Sequence, residues 1–176
     1  DHGARRRLKT TNLRQNPLTK AQLILDDVGT EKIMSGNNRL VTIFGGSGFL
    51  GRNLVRNLAK DGWRIRVAVR RPTFAHDLKP LGKVGQISIV QANLRDADSI
   101  MRAVDGADAV INLVAILKET GRQRFPTIHH QGALWVAQAA ERAGVERMIH
   151  VSALGAADDS PSAYARTKKR SEERRV

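Results

Sequence analysis

The 176-residue sequence contains no cysteine, so disulfides, thiolate metal sites and cysteine nucleophiles are all excluded. No metal ligand set is expected, and a reducing interior is the simplest compartment. Long apolar runs are missing as well. Hydrophobic residues make up 41% of the chain, yet no run approaches the roughly 18–20 residues that a membrane-spanning helix needs. The expectation is a water-soluble domain with enough chain to bury a real core. Internal repeats and low-complexity tracts are also absent, which argues against solenoid and linker architectures.

Acidic residues are in short supply, and the net charge is +13. The excess is unevenly placed. Residues 1–39 carry eight Lys/Arg against four Asp/Glu, residues 166–176 six against two, and the 126 residues between them sixteen against eleven. Much of the positive charge therefore lies at two ends, where solvated charge costs a fold little. A basic surface with charged tails is the simpler reading; nucleic-acid binding through those ends is the rival.

Residues 1–39 sustain neither a period of 2 nor one of 3.6. Thr19–Val28 can form a short helix, after which Gly29, Gly36 and Asn37-Asn38 interrupt the pattern. Met34 stands six residues before the first convincing strand. The expectation is that the natural chain starts there and that residues 1–33 are extra, non-native sequence. An organelle-targeting segment, suggested by Arg5-Arg6-Arg7, Lys9 and Arg14, is the alternative; Asp26, Asp27, Glu31 and the low serine content weigh against it.

From Leu40 onward short apolar runs alternate with helical stretches. Strands are expected over 40–44, 64–69, 86–90, 108–114 and 147–152, with helices over 48–60, 96–104 and 124–143 and a short helix or loop over 72–81. Leu50, Leu54 and Leu58 mark the sheet-facing side of the first helix, and Asp96 is the N-cap of the second. Alternating strands and helices imply right-handed crossovers and a parallel sheet covered on both faces. The fold class is α/β: a three-layer Rossmann fold of strand order 3-2-1-4-5, spanning residues 40–176, with ligand at the carboxyl edge where the order reverses.

The first strand runs straight into Gly45-Gly46-Ser47-Gly48-Phe49-Leu50-Gly51, a G-x-x-G-x-x-G spacing that opens a helix. That spacing is weak alone and informative at a strand–helix join. Gly45 supplies turn geometry closed to residues with a Cβ, Gly48 lets the backbone approach a pyrophosphate, and Gly51 lets the helix close on the strand. The helix N-terminus then offers free N–H groups and partial positive charge to phosphates. A dinucleotide cofactor is expected. Its type follows from Val69-Arg70-Arg71-Pro72, where an NAD site usually carries an acid that accepts from the adenosine ribose. Guanidinium groups pair instead with a 2′-phosphate, so NADP(H) is favoured and NAD(H) is the alternative. Arg52 can reach the same phosphate, and Asn93-Leu94 lies near the adenine.

Tyr164 and Lys168 stand four apart after the fifth strand, and Ser152 ends that strand; Tyr164 is the chain's single tyrosine. Four residues share a helix face, so the ammonium is expected to lie near the phenol, lower its pKa and let it act as general acid or base. Ser152 is the candidate donor to a substrate's reacting oxygen.

Together the phrases VTIFGGSGFLGR, VRRP, ANLRD, VINLVA, VERMIHVSALGA and SAYARTK resemble the short-chain dehydrogenase/reductase superfamily in its extended or atypical branch. They are most similar to bacterial relatives of the NADPH-binding accessory subunit of respiratory complex I. The resemblance implies that Gly45, Gly48 and Gly51 hold the cofactor phosphates and that Arg70 and Arg71 meet the adenosine phosphate; Ser47, Phe49, Leu50 and Arg52 are further cofactor-binding candidates in the same turn. Leu113, Val114 and Ala115 would line the nicotinamide side. Ser152, Tyr164 and Lys168 match the superfamily's catalytic residues, Lys168 also contacting the nicotinamide ribose. His129 stands where extended members often place Asn and reads as a packing or hydrogen-bonding group, and Asn112 as structural. Lys169-Arg170-Ser171 departs from the smaller or acidic residues usual there. Family members also continue with a sixth strand and a substrate-binding lobe, so the C-terminal part of the fold is expected to be missing. Three functions follow: a complex I accessory-type protein whose NADPH is mainly structural, an active reductase, dehydrogenase or epimerase, or a nucleic-acid binder. The expected location is the cytoplasm or the inner-membrane periphery, with the mitochondrial matrix as alternative.

Overall fold

The computed structural model describes residues 38–172. The anticipated helix at Thr19–Val28, the extension 1–33, Met34 and the outer parts of both basic ends lie outside the described residues.

Five parallel strands form one sheet: β1 (Leu40–Phe44), β2 (Arg64–Val69), β3 (Ile87–Gln91), β4 (Ala109–Asn112) and β5 (Arg147–His150). Their order is β3-β2-β1-β4-β5, the expected Rossmann arrangement. β1 lies at the centre. All five of its residues are buried, as a strand covered on both faces requires. The register aligns Val90, Ala68, Phe44, Asn112 and His150 in one row across the carboxyl end of the sheet. The loops that follow this row form the mouth where the order reverses.

Two apolar layers hold the sheet. On one face, Val55, Leu58 and Ala59 of α1 (Phe49–Lys60), with Ala75 and Leu78 of a 3-10 segment (Pro72–Leu81), cover Val41, Ile43, Ile65 and Val67. On the other, Ile100 and Val104 of α2 (Ala97–Val104) and Val136, Ala139 and Ala140 of α3 (Gly132–Arg142) cover Phe44 and Val110. Asp96 is the N-cap of α2, accepting from the N–H groups of Asp98 and Ser99. A last helix, α4 (Ala163–Glu172), packs on the chain that enters α3.

Four elements depart from the pattern read off the sequence. In α1 the buried face runs through Gly51, Val55 and Leu58, while Leu50 is exposed at the mouth. The tight glycine contact turns that face to the sheet and swings Leu50 outward. The expected helix over 124–143 begins instead as π-helical turns over Pro126–Gln131 before α3. Its start is pinned from outside, since the Phe125 N–H donates to Glu119 Oε1 at 2.7 Å. Strands β4 and β5 are shorter than expected and end at Asn112 and His150. The apolar residues beyond Asn112 pack as loop: Leu113 rests on one core layer and Val114 on the other.

Candidate functional site

The first βα turn is shaped by backbone contact. Gly45 has φ +80°, in the left-handed region that favours glycine. A Cβ on Gly51 would lie 2.5 Å from both Gly45 O and Gly46 Cα, so α1 can seat against the loop only without a side chain there. Gly46 approaches β2 similarly; a Cβ would meet Val67 Cγ1 at 2.8 Å. Gly46 is a packing residue that the G-x-x-G-x-x-G spacing does not single out. Gly48 is the N-cap of α1, with no side-chain cap, so the first-turn amides stay available to an anion. The cradle that a diphosphate needs is thus present in the backbone. Phe49 and Leu50, the residues between Gly48 and Gly51, are exposed.

Gly45 also meets the loop after β4: its Cβ would lie 3.2 Å from Val114 Cγ2 and 3.3 Å from the Leu113 carbonyl carbon. The fold therefore places the glycine loop directly beside Leu113, Val114 and exposed Ala115. Just past β2, Arg70 and Arg71 are exposed, and neither forms an ion pair among the described residues. Arg52 differs from them. Its Nε donates to Ser47 O at 3.0 Å, and its Nη1 pairs with the Asp77 carboxylate. Asn93 and Leu94 occupy the loop after β3, but their side chains serve the fold. Asn93 Oδ1 accepts from the Arg95 N–H at 3.1 Å, and Leu94 is buried against Gly132, where a Cβ would come within 2.8 Å.

Lys168 reaches the chain just past the end of β5, where Ser152 also lies. Lys168 is buried, and its ammonium donates to the Val151 carbonyl at 2.8 Å. Burial brings its pKa down to about 8, partly opposed by Glu172. Ser152, in the loop just past β5, has an enclosed Oγ with no hydrogen-bond partner among the described residues. Tyr164 makes edge contacts with the rings of Phe125 and His129, at centroid distances of 6.0 and 5.1 Å. Burial raises its phenol above the ordinary value, opposite to the direction expected from a neighbouring lysine. Burial of the phenol is the cause, and the Lys168 ammonium is engaged by Val151 O.

Two hydrogen-bond relays hold α4, one to the loop after β4 and one to the sheet. His129 Nε2 accepts from the Ile116 N–H at 3.0 Å, which leaves Nδ1 to donate to Thr167 Oγ1 at 3.0 Å. The Thr167 hydroxyl lies 2.9 Å from both the Ala163 and Tyr164 carbonyls, to which it donates. In the second relay Asn112 Nδ2 donates to His150 Nδ1 at 3.2 Å, and His150 Nε2 donates to Ser171 Oγ at 2.9 Å. Ser171 donates in turn to Lys168 O at 2.6 Å. Asn112 Oδ1 accepts from the Val114 N–H, as the structural reading of that residue requires. Burial, helped by the Lys168 charge, pulls His129 down to about 4 and His150 to about 3, so both rings are neutral at neutral pH. The short spacing of Thr167 and Ser171 around Lys168 is the one sequence signal for these relays; His150 and Asp77 carry none.

Gly51→Ala should cost about 1–3 kcal/mol of stability in urea unfolding, because backbone must move to admit the methyl. A loss below a few tenths would contradict the contact. The histidines predict a pH dependence. Their folded pKa values lie below the ordinary 6.5, so between those values the unfolded chain binds protons that the folded one does not. Their contribution is complete above about pH 6.5 and falls with acidification through about 4 for His129 and about 3 for His150. Urea unfolding from pH 7 to 4 should give a shallower slope for His129→Gln than for the parent; equal slopes would contradict a buried neutral ring.

The family described as NAD(P)H-binding matches residues 45–174. NADH dehydrogenase (ubiquinone) 1 alpha subcomplex subunit 9, mitochondrial, from Dictyostelium discoideum is 36% identical over 90% of this chain and 42% of its own length. The protein of the same name from Arabidopsis thaliana is 39% identical over 82% of this chain and 37% of its own. A ceramide reductase from Caulobacter vibrioides is 37% identical over 76% of this chain and 41% of its own. The chain thus spans about two fifths of the length of these curated relatives. An X-ray structure of Pen from Bacillus thuringiensis superposes with TM-score 0.67 at 20% identity, covering 78% of this chain and 44% of that one, and shares the fold. Among the described residues no helix is long and apolar enough to cross a membrane. With the glycine cradle in place and 130 consecutive residues matched, the chain belongs to the NAD(P)H-binding family within the extended short-chain dehydrogenase/reductase superfamily.

Proposed function

We propose that the chain is the cofactor-holding part of an NADP(H)-binding protein of the complex I accessory type, in which the dinucleotide mainly stabilises the fold. The observation that carries this reading is the join of β1 and α1: uncapped amides, with two exposed guanidinium groups past the neighbouring strand, Arg70 and Arg71, that have no ion-pair partner among the described residues. Amides and helix dipole suit a diphosphate, and paired guanidinium groups suit a 2′-phosphate rather than a ribose hydroxyl. Leu113, Val114 and Ala115 then flank the nicotinamide end. The relatives named as mitochondrial NADH dehydrogenase subunits support association with respiratory complex I, peripheral to a membrane, as in the mitochondrial matrix or at a bacterial inner membrane.

A mainly structural role fits the state of the proton-transfer groups. A general acid–base works best with a pKa near the working pH. Burial instead moves the Tyr164 phenol upward, and the Lys168 ammonium is engaged by a backbone carbonyl.

A second reading, an active carbonyl reductase or epimerase, is favoured by one observation: the enclosed Ser152 Oγ has no hydrogen-bond partner among the described residues. A buried hydroxyl left unsatisfied costs stability, roughly 1–3 kcal/mol, and such a group suits a donor kept for a substrate oxygen. The nicotinamide would supply or accept hydride, Ser152 would orient the reacting oxygen, and Tyr164 would hold the transferable proton. The ceramide reductase relative accords with this alternative.

NADPH should raise the melting temperature by several degrees at saturating concentration, through binding to the folded state alone. On the structural reading it should not be consumed with carbonyl substrates. Turnover that is lost in Tyr164→Phe would favour the reductase. A melting temperature unmoved by either nucleotide would sink the cofactor reading itself.

A further inference from the structure

Val69-Arg70-Arg71-Pro72 carries no acid, but the 3-10 segment that follows brings one to the mouth. Asp77 lies in the 3-10 segment that starts directly after Arg70-Arg71. Its placement is fixed from beneath, because Ala75 and Leu78 on either side of it are fully buried against the sheet. Its carboxylate pairs with Arg52 Nη1, while Arg52 Nε is anchored on the Ser47 carbonyl of the glycine loop. Asp77 is therefore one guanidinium width from the loop expected to hold the phosphates. The Arg52 hydrogen bond holds its carboxyl below the usual carboxylate range, so it stays charged at neutral pH.

This arrangement divides the three arginines at the mouth. Arg70 and Arg71 have no ion-pair partner among the described residues, whereas Arg52 is compensated. A 2′-phosphate on the adenosine carries nearly two negative charges. It is drawn to Arg70 and Arg71, repelled by Asp77, and denied Arg52. A ribose 2′-hydroxyl has no charge to repel and can donate to a carboxylate. Both effects of Asp77 have the same sign, and each narrows the preference for the phosphorylated nucleotide.

Resting on the reading that this mouth holds an adenine dinucleotide, we propose that Asp77 is a specificity-determining residue. It sets the balance between NADPH and NADH by engaging Arg52 and placing a fixed negative charge beside the 2′ position. Neutralising it releases Arg52 as a third phosphate donor and removes the repulsion.

The test is calorimetric titration of the full chain with NADPH and with NADH, comparing the parent, Asp77→Asn and Asp61→Asn. Asp61 is an exposed carboxylate at the far end of α1, so its variant carries the same charge change away from the mouth. The ratio of NADPH to NADH affinity should rise about three- to tenfold in Asp77→Asn at low ionic strength. The rise should shrink in high salt, and Asp61→Asn should match the parent. A ratio that stays within twofold of the parent, or falls, overturns the role of Asp77 while leaving the cofactor reading intact. Binding of neither nucleotide to any of the three proteins overturns both.

Discussion

The site depends on one steric constraint, the contact of α1 with the turn that precedes it. Gly51 lies so close to Gly45 and Gly46 that no side chain fits between them. That approach aims the helix axis, and with it the first-turn amides, at the mouth of the sheet. It also selects which face of α1 is buried, so Val55 and Leu58 enter the core and Leu50 does not. Gly45, held in left-handed geometry, brings the same loop against Leu113 and Val114. Glycine loop and β4 loop are thus a single packed unit.

The other half of the mouth is held by polar groups in the same row of the sheet. Asn112 and His150 are register partners on β4 and β5. His150 and His129 reach α4 through Ser171 and Thr167, the residues flanking Lys168 at close range. Neutral imidazoles suit this work because each offers one donor and one acceptor, and a protonated ring would lose the acceptor. The buried ammonium of Lys168 helps keep both rings neutral. The helix bearing Tyr164 and Lys168 is therefore positioned from the sheet as well as by its own packing.

Much of this is legible in the amino-acid sequence, and the limits have physical causes. The glycine spacing is readable because it encodes a steric need at the join of one strand and one helix. The strand order is readable because crossovers in parallel sheets have one hand. Strand ends are overestimated at Leu113 and Val114, since apolar side chains that pack into the core from a loop look the same as strand residues. The direction of the Tyr164 shift escapes the Y-x-x-x-K spacing, because it is set by tertiary burial of the phenol, which the spacing does not encode. Asp77 escapes for a related reason: the path of a 3-10 segment is set by tertiary burial of Ala75 and Leu78.

The central claim is that the backbone of residues 45–52 receives the cofactor's diphosphate. Amide hydrogen exchange of the chain with and without NADPH measures this directly. Slowed exchange concentrated at the amides of residues 47–52, together with those after β4, is the expected result. Saturable NADPH binding that leaves exchange in that segment unchanged would contradict the account.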